Sequence, residues 1–121
     1  MISRIASVTI YVDDQRRAAD FWQNLGFEVL TDNDMGNGFR RIEVAAPGSE
    51  TSLSLYPKKL MHGAQPSTSI VFVCENLDYL WKEMKEKGIA FKQEPTLMQR
   101  GNFAVFLDDD GNEFVLKQEK S

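Results

Sequence analysis

The chain has 121 residues, enough for one ordinary domain or for two half-sized modules that share a core. Its 42% hydrophobic and 26% charged residues are ordinary for a soluble globular protein. The formal net charge of −4 argues against a phosphate-dominated partner, which needs a basic patch, so no nucleic-acid role is expected. Apolar runs fall short of the roughly 20 residues of a membrane-spanning helix, and residues 1–7 lack the apolar stretch of a signal peptide, so the expectation is no membrane partner and a cytoplasmic location.

Residues 5–12 alternate as a half-buried strand, with Val8, Ile10 and Val12 on one face and Ser7, Thr9 and Tyr11 on the other. Asp13 or Asp14 can cap a following helix. Ala18, Ala19, Phe21, Trp22 and Leu25 then recur at helical spacing up to Gly26, placed to end it. A short strand is expected over 27–31 and a polar loop over 33–38. A third strand over 39–45 has Ile42 and Val44 opposed to Phe39, Arg41 and Glu43. After the Pro47-Gly48-Ser49 turn, residues 51–56 form a fourth strand, with Leu53 and Leu55 opposed to Ser52, Ser54 and Tyr56.

Residues 57–66 are basic, contain glycine and are bracketed by prolines, so they read as a connector. The order then begins again. Ile70, Phe72 and Cys74 share one face of a strand, Asn76 is a candidate cap, and Leu77, Leu80, Trp81 and Met84 form a helical stripe up to Gly88. A short strand over 89–92 and a loop over 94–101 follow. Last comes a hairpin over 103–116, with its reversal at Asp109 to Asn112. Ser7 aligns with Ser69, Ile10 with Phe72, Gly26 with Gly88 and Val44 with Phe106, and after a one-residue slip Ser54 aligns with Val115. The repeat is one of pattern rather than identity. A lone βαβββ unit of about 55 residues buries little core, which is a physical reason for two to pair.

Val8-Thr9-Ile10-Tyr11-Val12-Asp13-Asp14, Phe21-Trp22-Gln23-Asn24-Leu25-Gly26-Phe27 and Phe106-Leu107-Asp108-Asp109-Asp110-Gly111-Asn112 together resemble the vicinal oxygen chelate superfamily. That superfamily includes glyoxalase I, bleomycin-resistance proteins, fosfomycin-resistance enzymes and extradiol dioxygenases, and it often reads FYxxxLGF and FxDPDGN at the last two motifs. The resemblance covers essentially the whole chain. It implies an α+β fold of two tandem βαβββ modules forming an open, cavity-enclosing sheet with helices outside. One such domain spans 1–121, with module one at about 3–57, the connector at about 58–66 and module two at about 67–118. A homodimer is the implied assembly.

Metal-dependent members place four ligands, typically His, Glu or Gln, at one position in the first and last strands of each module. The matching positions in this sequence are Ser7, Ser54, Ser69 and Val115. A metal of this kind needs imidazole nitrogens or carboxylates, and neither a serine hydroxyl nor a valine replaces them. The expected metal and cofactor complement is therefore none, and glyoxalase-type isomerisation or extradiol ring cleavage by the usual mechanism is not expected.

If the polar parity of each strand lines the cavity, its walls are Ser7, Thr9, Tyr11, Phe39, Arg41, Glu43, Ser54, Tyr56, Ser69, Val71, Phe103, Val105 and Val115, a mixture suited to a small organic ligand. Tyr11, Phe39, Arg41, Glu43, Tyr56, Phe103 and Val105 are the candidate ligand-binding residues. Arg41 suits an anionic group, and Glu43 is the candidate catalytic residue, able to accept a proton or to position a polar substrate. A solvated strand face explains the same pair equally well. His62 reads as an exposed loop residue, Cys74 as a buried inert thiol, and Trp22 and Trp81 as packing residues. Two functions remain open: a small-molecule-binding protein without a metal, like the bleomycin-binding members, or an enzyme of glyoxalase or dioxygenase type with an atypical or metal-free acid-base site.

Overall fold

The computed structural model describes residues 1–36, 38–60, 67–99 and 101–119. Its elements are β1 (Ser7–Val12), α1 (Gln15–Asn24), β2 (Glu28–Asp34), β3 (Arg40–Ala45), β4 (Ser52–Pro57), a 3-10 turn (Lys58–Leu60), β5 (Ser67–Cys74), α2 (Leu77–Glu86), β6 (Phe91–Met98), β7 (Gly101–Leu107) and β8 (Glu113–Gln118). This is βαβββ twice over. The chain divides into two compact units, Met1–Ala64 and Gln65–Ser121, with the division inside the expected connector. His62 and the rest of 61–66 lie outside the described residues.

In the first unit the sheet order is β1-β4-β3-β2, with β1 parallel to β4 and the other pairs antiparallel. The apolar parity of the strands forms the core: Ile10, Val12, Ile42, Val44, Leu53 and Leu55 are buried, together with Ala18, Ala19 and Trp22 of α1. Helix α1 starts at Asp14, whose carboxylate accepts the backbone N–H groups of Arg16 and Arg17 at 3.0 and 3.2 Å. It stops at Gly26, whose φ of +92° favours a residue without a Cβ. There the Gly26 N–H donates to the Gln23 carbonyl and the Phe27 N–H to the Trp22 carbonyl, while the Phe27 and Trp22 rings meet at 4.9 Å. Helix α2 repeats the device, with Asn76 as its cap and Ile89 donating back to Met84.

The side chain of Gln15 closes a gap in the first sheet. Strands β3 and β4 pair at Glu43–Ser54 and Val44–Leu53. Beyond that pairing, the Gln15 amide donates to the carbonyls of Arg40 and Leu55 and accepts the Arg40 N–H. Replacing Gln15 by Ala removes partners from three backbone groups. It is expected to cost about 1–3 kcal/mol, read as a lower urea midpoint with an unchanged m-value.

Strand β2 runs to Asp34, past the short strand expected over 27–31, because its polar residues find partners. Asp32, Asn33 and Asp34 stand opposite Ile42, Arg41 and Arg40, and the Arg40 Nε donates to the Asp32 carboxylate at 2.7 Å.

The second unit has the order β5-β8-β7-β6 and a core of Leu77, Met84, Ile89, Ala104, Phe106, Phe114 and Leu116. Strand β6 runs through Pro95, where a loop was expected. It is the sheet's edge strand, so the missing proline N–H need not break a ladder bond, and the pairing with β7 shifts register between Gln93 and Thr96. The hairpin turns around Asp108, whose carboxylate accepts the backbone N–H groups of Asp110 and Asn112 and the Asn112 side-chain amide, each at 2.9 Å. Gly111 takes the left-handed conformation, with φ of +80°.

Candidate functional site

The polar parity of the first sheet forms one ordered surface. Parallel pairing sets Ser7 beside Ser52, Thr9 beside Ser54 and Tyr11 beside Tyr56, and antiparallel pairing sets Ser54 beside Glu43. Beyond the Glu43–Ser54 pair, alternation puts Arg41 and Tyr56 on the same face as that pair, and Phe39, just before β3, lays its ring edge-on to Tyr56 at 5.5 Å. The face is therefore graded. Hydroxyls of Ser7, Thr9, Ser52 and Ser54 occupy one end, Glu43 and Arg41 the middle, and three aromatic rings the other end.

The charged middle is fixed by named contacts. The Ser52 hydroxyl donates to Glu43 Oε2 at 3.0 Å, and Arg41 Nη2 pairs with Glu43 Oε1 at 3.1 Å. Ser52 and Ser54 are buried. The Glu43 side chain keeps 15% of its exposure and that of Arg41 54%, so the pair has an inner, shielded member and an outer, accessible one. Both carboxylate oxygens of Glu43 are engaged. Ser52 shares its parity with Ser54, but its contact runs diagonally from β4 to β3, so it becomes apparent only once the strand register is known.

Tyr11, Phe39, Arg41, Glu43 and Tyr56 thus come together on this face. Phe103 and Val105 belong to the sheet of the second unit, where they stand opposite Lys117 and Val115 on the parity of Val71 and Val73. Val71 and Val73 are exposed. Phe103 also borders an open cleft of about 880 Å3 lined with Leu97, Met98 and Gln99. A second cleft, of about 520 Å3, lies in the first unit at the start of α1 and includes Arg16, Arg40, Lys58 and Lys59. Arg41 and Glu43 lie outside both clefts.

The four positions matched to metal ligands are not structurally equivalent. Ser54 and Val115 do correspond: Ser54 pairs with Thr9, Val115 pairs with Val71, and Thr9 and Val71 hold matching places in β1 and β5. Ser69 breaks the pattern. It has φ of +61° within an irregular stretch of β5, between the Ser67–Glu113 and Val71–Val115 pairs. Elsewhere, burial pushes the Cys74 thiol above its ordinary pKa, which keeps it protonated and weakly nucleophilic. Among the described residues, no helix is long and apolar enough to cross a membrane.

The sequence profile of the Glyoxalase/Bleomycin resistance protein/Dioxygenase superfamily matches residues 4–116. The chain belongs to this superfamily. It is 43% identical over 120 residues to the protein YetH of Bacillus subtilis (strain 168), covering 98% of this chain and 100% of YetH. Among solved structures, a superfamily member from Sphaerobacter thermophilus DSM 20745 superposes with a TM-score of 0.90 at 33% identity, covering 98% of both chains. TnmS3, an antibiotic binding protein from Streptomyces sp. CB03234, superposes with a TM-score of 0.85 at 30% identity, again covering 98% of both.

The superfamily's metal can be tested against these donors. Among the described residues there is no group of three or more His, Cys, Asp or Glu side chains that could hold a metal ion. On the polar face of the first sheet the carboxylates are Glu28, opposite Ala45 on the edge strand β2, and Glu43, whose oxygens already serve Ser52 and Arg41. The donor set of the described residues does not fit the group.

Proposed function

We propose that this protein binds a small organic molecule on the polar face of the first unit's sheet, without a metal of the superfamily's usual kind. The composition of that face carries the reading. Its carboxylates, Glu28 at the edge and the engaged Glu43, belong to no cluster of donors of the kind a metal needs among the described residues. Beside them Tyr11, Tyr56 and Phe39 offer apolar ring area, with a polar handle on each tyrosine. The likeness to TnmS3 supports a ligand of the antibiotic class, held by sequestration. In this reading Glu43 serves recognition, holding Arg41 while itself held by Ser52.

Two measurements test the proposal. Elemental analysis of the purified protein is expected to show Zn, Ni, Mn and Fe far below one equivalent, and a stoichiometric amount of any of them would overturn the metal-free reading. A thermal-shift screen of aromatic, peptide-like and thiol-conjugate compounds should then find stabilising ligands. One present at a hundredfold excess over its Kd adds about 2.7 kcal/mol, which in a chain of this size raises Tm by roughly 10 °C.

A further inference from the structure

We infer that the ligand of this face is an aromatic acid, whose anionic group is gripped by an Arg41 that Ser52 and Glu43 hold in place; the inference rests on the binding function proposed above. The argument starts from the buried end of the relay. The backbone N–H of Ser52 donates to the Ala6 carbonyl at 3.1 Å, and its hydroxyl lies 3.0 Å from Glu43 Oε2 against 3.4 Å from the Ala6 carbonyl. The hydroxyl proton is therefore directed at the carboxylate. A buried serine thus fixes a largely buried glutamate, and the second oxygen of that glutamate fixes one edge of the Arg41 guanidinium at 3.1 Å.

A guanidinium is planar and carries five N–H donors in a rigid fork. The Nη2 contact to Glu43 restrains the guanidinium, so its remaining donors sample fewer directions than those of an unpaired surface arginine. An ordinary surface ion pair joins two mobile, solvated side chains and contributes little. Here one partner is shielded and braced, and the outer partner remains about half exposed. Such an arginine suits a carboxylate or another planar oxyanion, because the entropy of holding the fork is already spent before binding.

The aromatic half of the ligand follows from what flanks the fork. Tyr56 lies two residues beyond Ser54, the β4 partner of Glu43, and meets the Phe39 ring edge-on, while Phe39 lies two residues before Arg41 and Tyr11 lies beside Tyr56 on β1. A ring placed on these side chains sets its acidic substituent next to the guanidinium. Ser52 is thus a positioning residue: its effect on the ligand passes through Glu43 and Arg41.

The test uses the full chain and matched probes: benzoate, naphthoate and anthracenecarboxylate, each against its carboxamide, titrated by calorimetry. For the ring system that binds best, the acid is expected to bind about tenfold or more tightly than the amide, the worth of a charge-assisted hydrogen bond. Arg41→Gln should abolish that preference, lowering acid affinity much more than amide affinity. Arg41→Lys, which keeps the charge and loses the fork, should retain only part of it. Ser52→Ala should reduce the preference several-fold, with acid affinity falling more than amide affinity. Equal binding of acid and amide by the unaltered protein would overturn the inference and leave the binding function standing, as would a preference that survives Arg41→Gln. Parallel loss of both probes in Ser52→Ala would reduce Ser52 to a structural part and overturn its positioning role. If none of the six compounds binds, the inference falls, and the binding function falls with it only where the broader thermal-shift screen also finds no stabilising ligand.

Discussion

Replacing Phe106 by Ala will destabilise the protein by roughly 3–5 kcal/mol, the usual cost of truncating a fully enclosed aromatic residue. Phe106 keeps 1% of its exposure and lies at the centre of an aromatic cluster in the second unit. Its ring stacks on Phe114 at 5.3 Å, lies 6.3 Å from Phe72 and is tilted against Phe91 at 6.2 Å. Two of these neighbours are its direct partners across the sheet, Phe114 on β8 and Phe91 on β6. The truncation therefore leaves a cavity bounded by two strands that cannot close together without breaking their ladders. Aromatic pairs at these separations also contribute about 0.5–1.5 kcal/mol each beyond buried area. Phe106→Leu preserves most of the volume but gives up the ring pairs, and is expected to cost about 1–3 kcal/mol, less than Phe106→Ala. Chemical denaturation of both variants checks the ratio; equal losses would mean that the fit of the aromatic ring, not the area or volume it fills, sets the cost.

The features legible from the sequence are those specified by neighbouring residues. Alternation separated Ile42 and Val44 from Arg41 and Glu43, and Asp14, Gly26, Asn76 and Gly88 punctuated the helices, because capping and left-handed geometry need particular side chains or none. The FLDDDGN hairpin was legible for the same reason. Features set by contacts across strands were not. Strand β2 extends over Thr31-Asp32-Asn33-Asp34, residues of poor strand propensity, because Arg40 and β3 supply partners from outside the segment. Strand β6 passes through Pro95 because only an edge strand has an unused N–H position there. The irregular backbone at Ser69 has no residue signature, since positive φ is unusual for serine. On the candidate face, Arg41, Glu43, Tyr11, Tyr56 and Phe39 could be grouped by parity alone. Ser52 could not be singled out, since its hydrogen bond to Glu43 depends on the register of β4 against β3.

The turn at Asp108 yields the second large effect, and the most distinctive, because its sign depends on pH. Asp108 is nearly buried and accepts three hydrogen bonds, two from the backbone N–H groups of Asp110 and Asn112 and one from the Asn112 side chain. Replacing it by Ala leaves those donors unmatched in a tight turn and is expected to cost about 3 kcal/mol, since each orphaned buried donor costs roughly 1–3 kcal/mol and water recovers part of the loss. The ionisation of Asp108 pulls the other way. Burial raises its pKa above the ordinary 3.8, and this outweighs the opposing effect of the hydrogen bonds from Asn112 and Asp110. The folded protein therefore still holds the proton at a pH where the unfolded chain has released it. The stabilisation from the protonated side chain is full below 3.8 and is lost as pH rises through the folded-state value. Asp108→Asn keeps the shape and a carbonyl acceptor while removing the titration. Melts of the unaltered protein and Asp108→Asn, run in parallel from about pH 3.5 to 6, should show the unaltered protein losing stability relative to the variant as pH rises through the carboxylate range. A difference that stays constant would mean that the turn's donors balance the desolvation. A difference that grows in favour of the unaltered protein as pH rises would mean that they overcome it and hold the carboxylate charged.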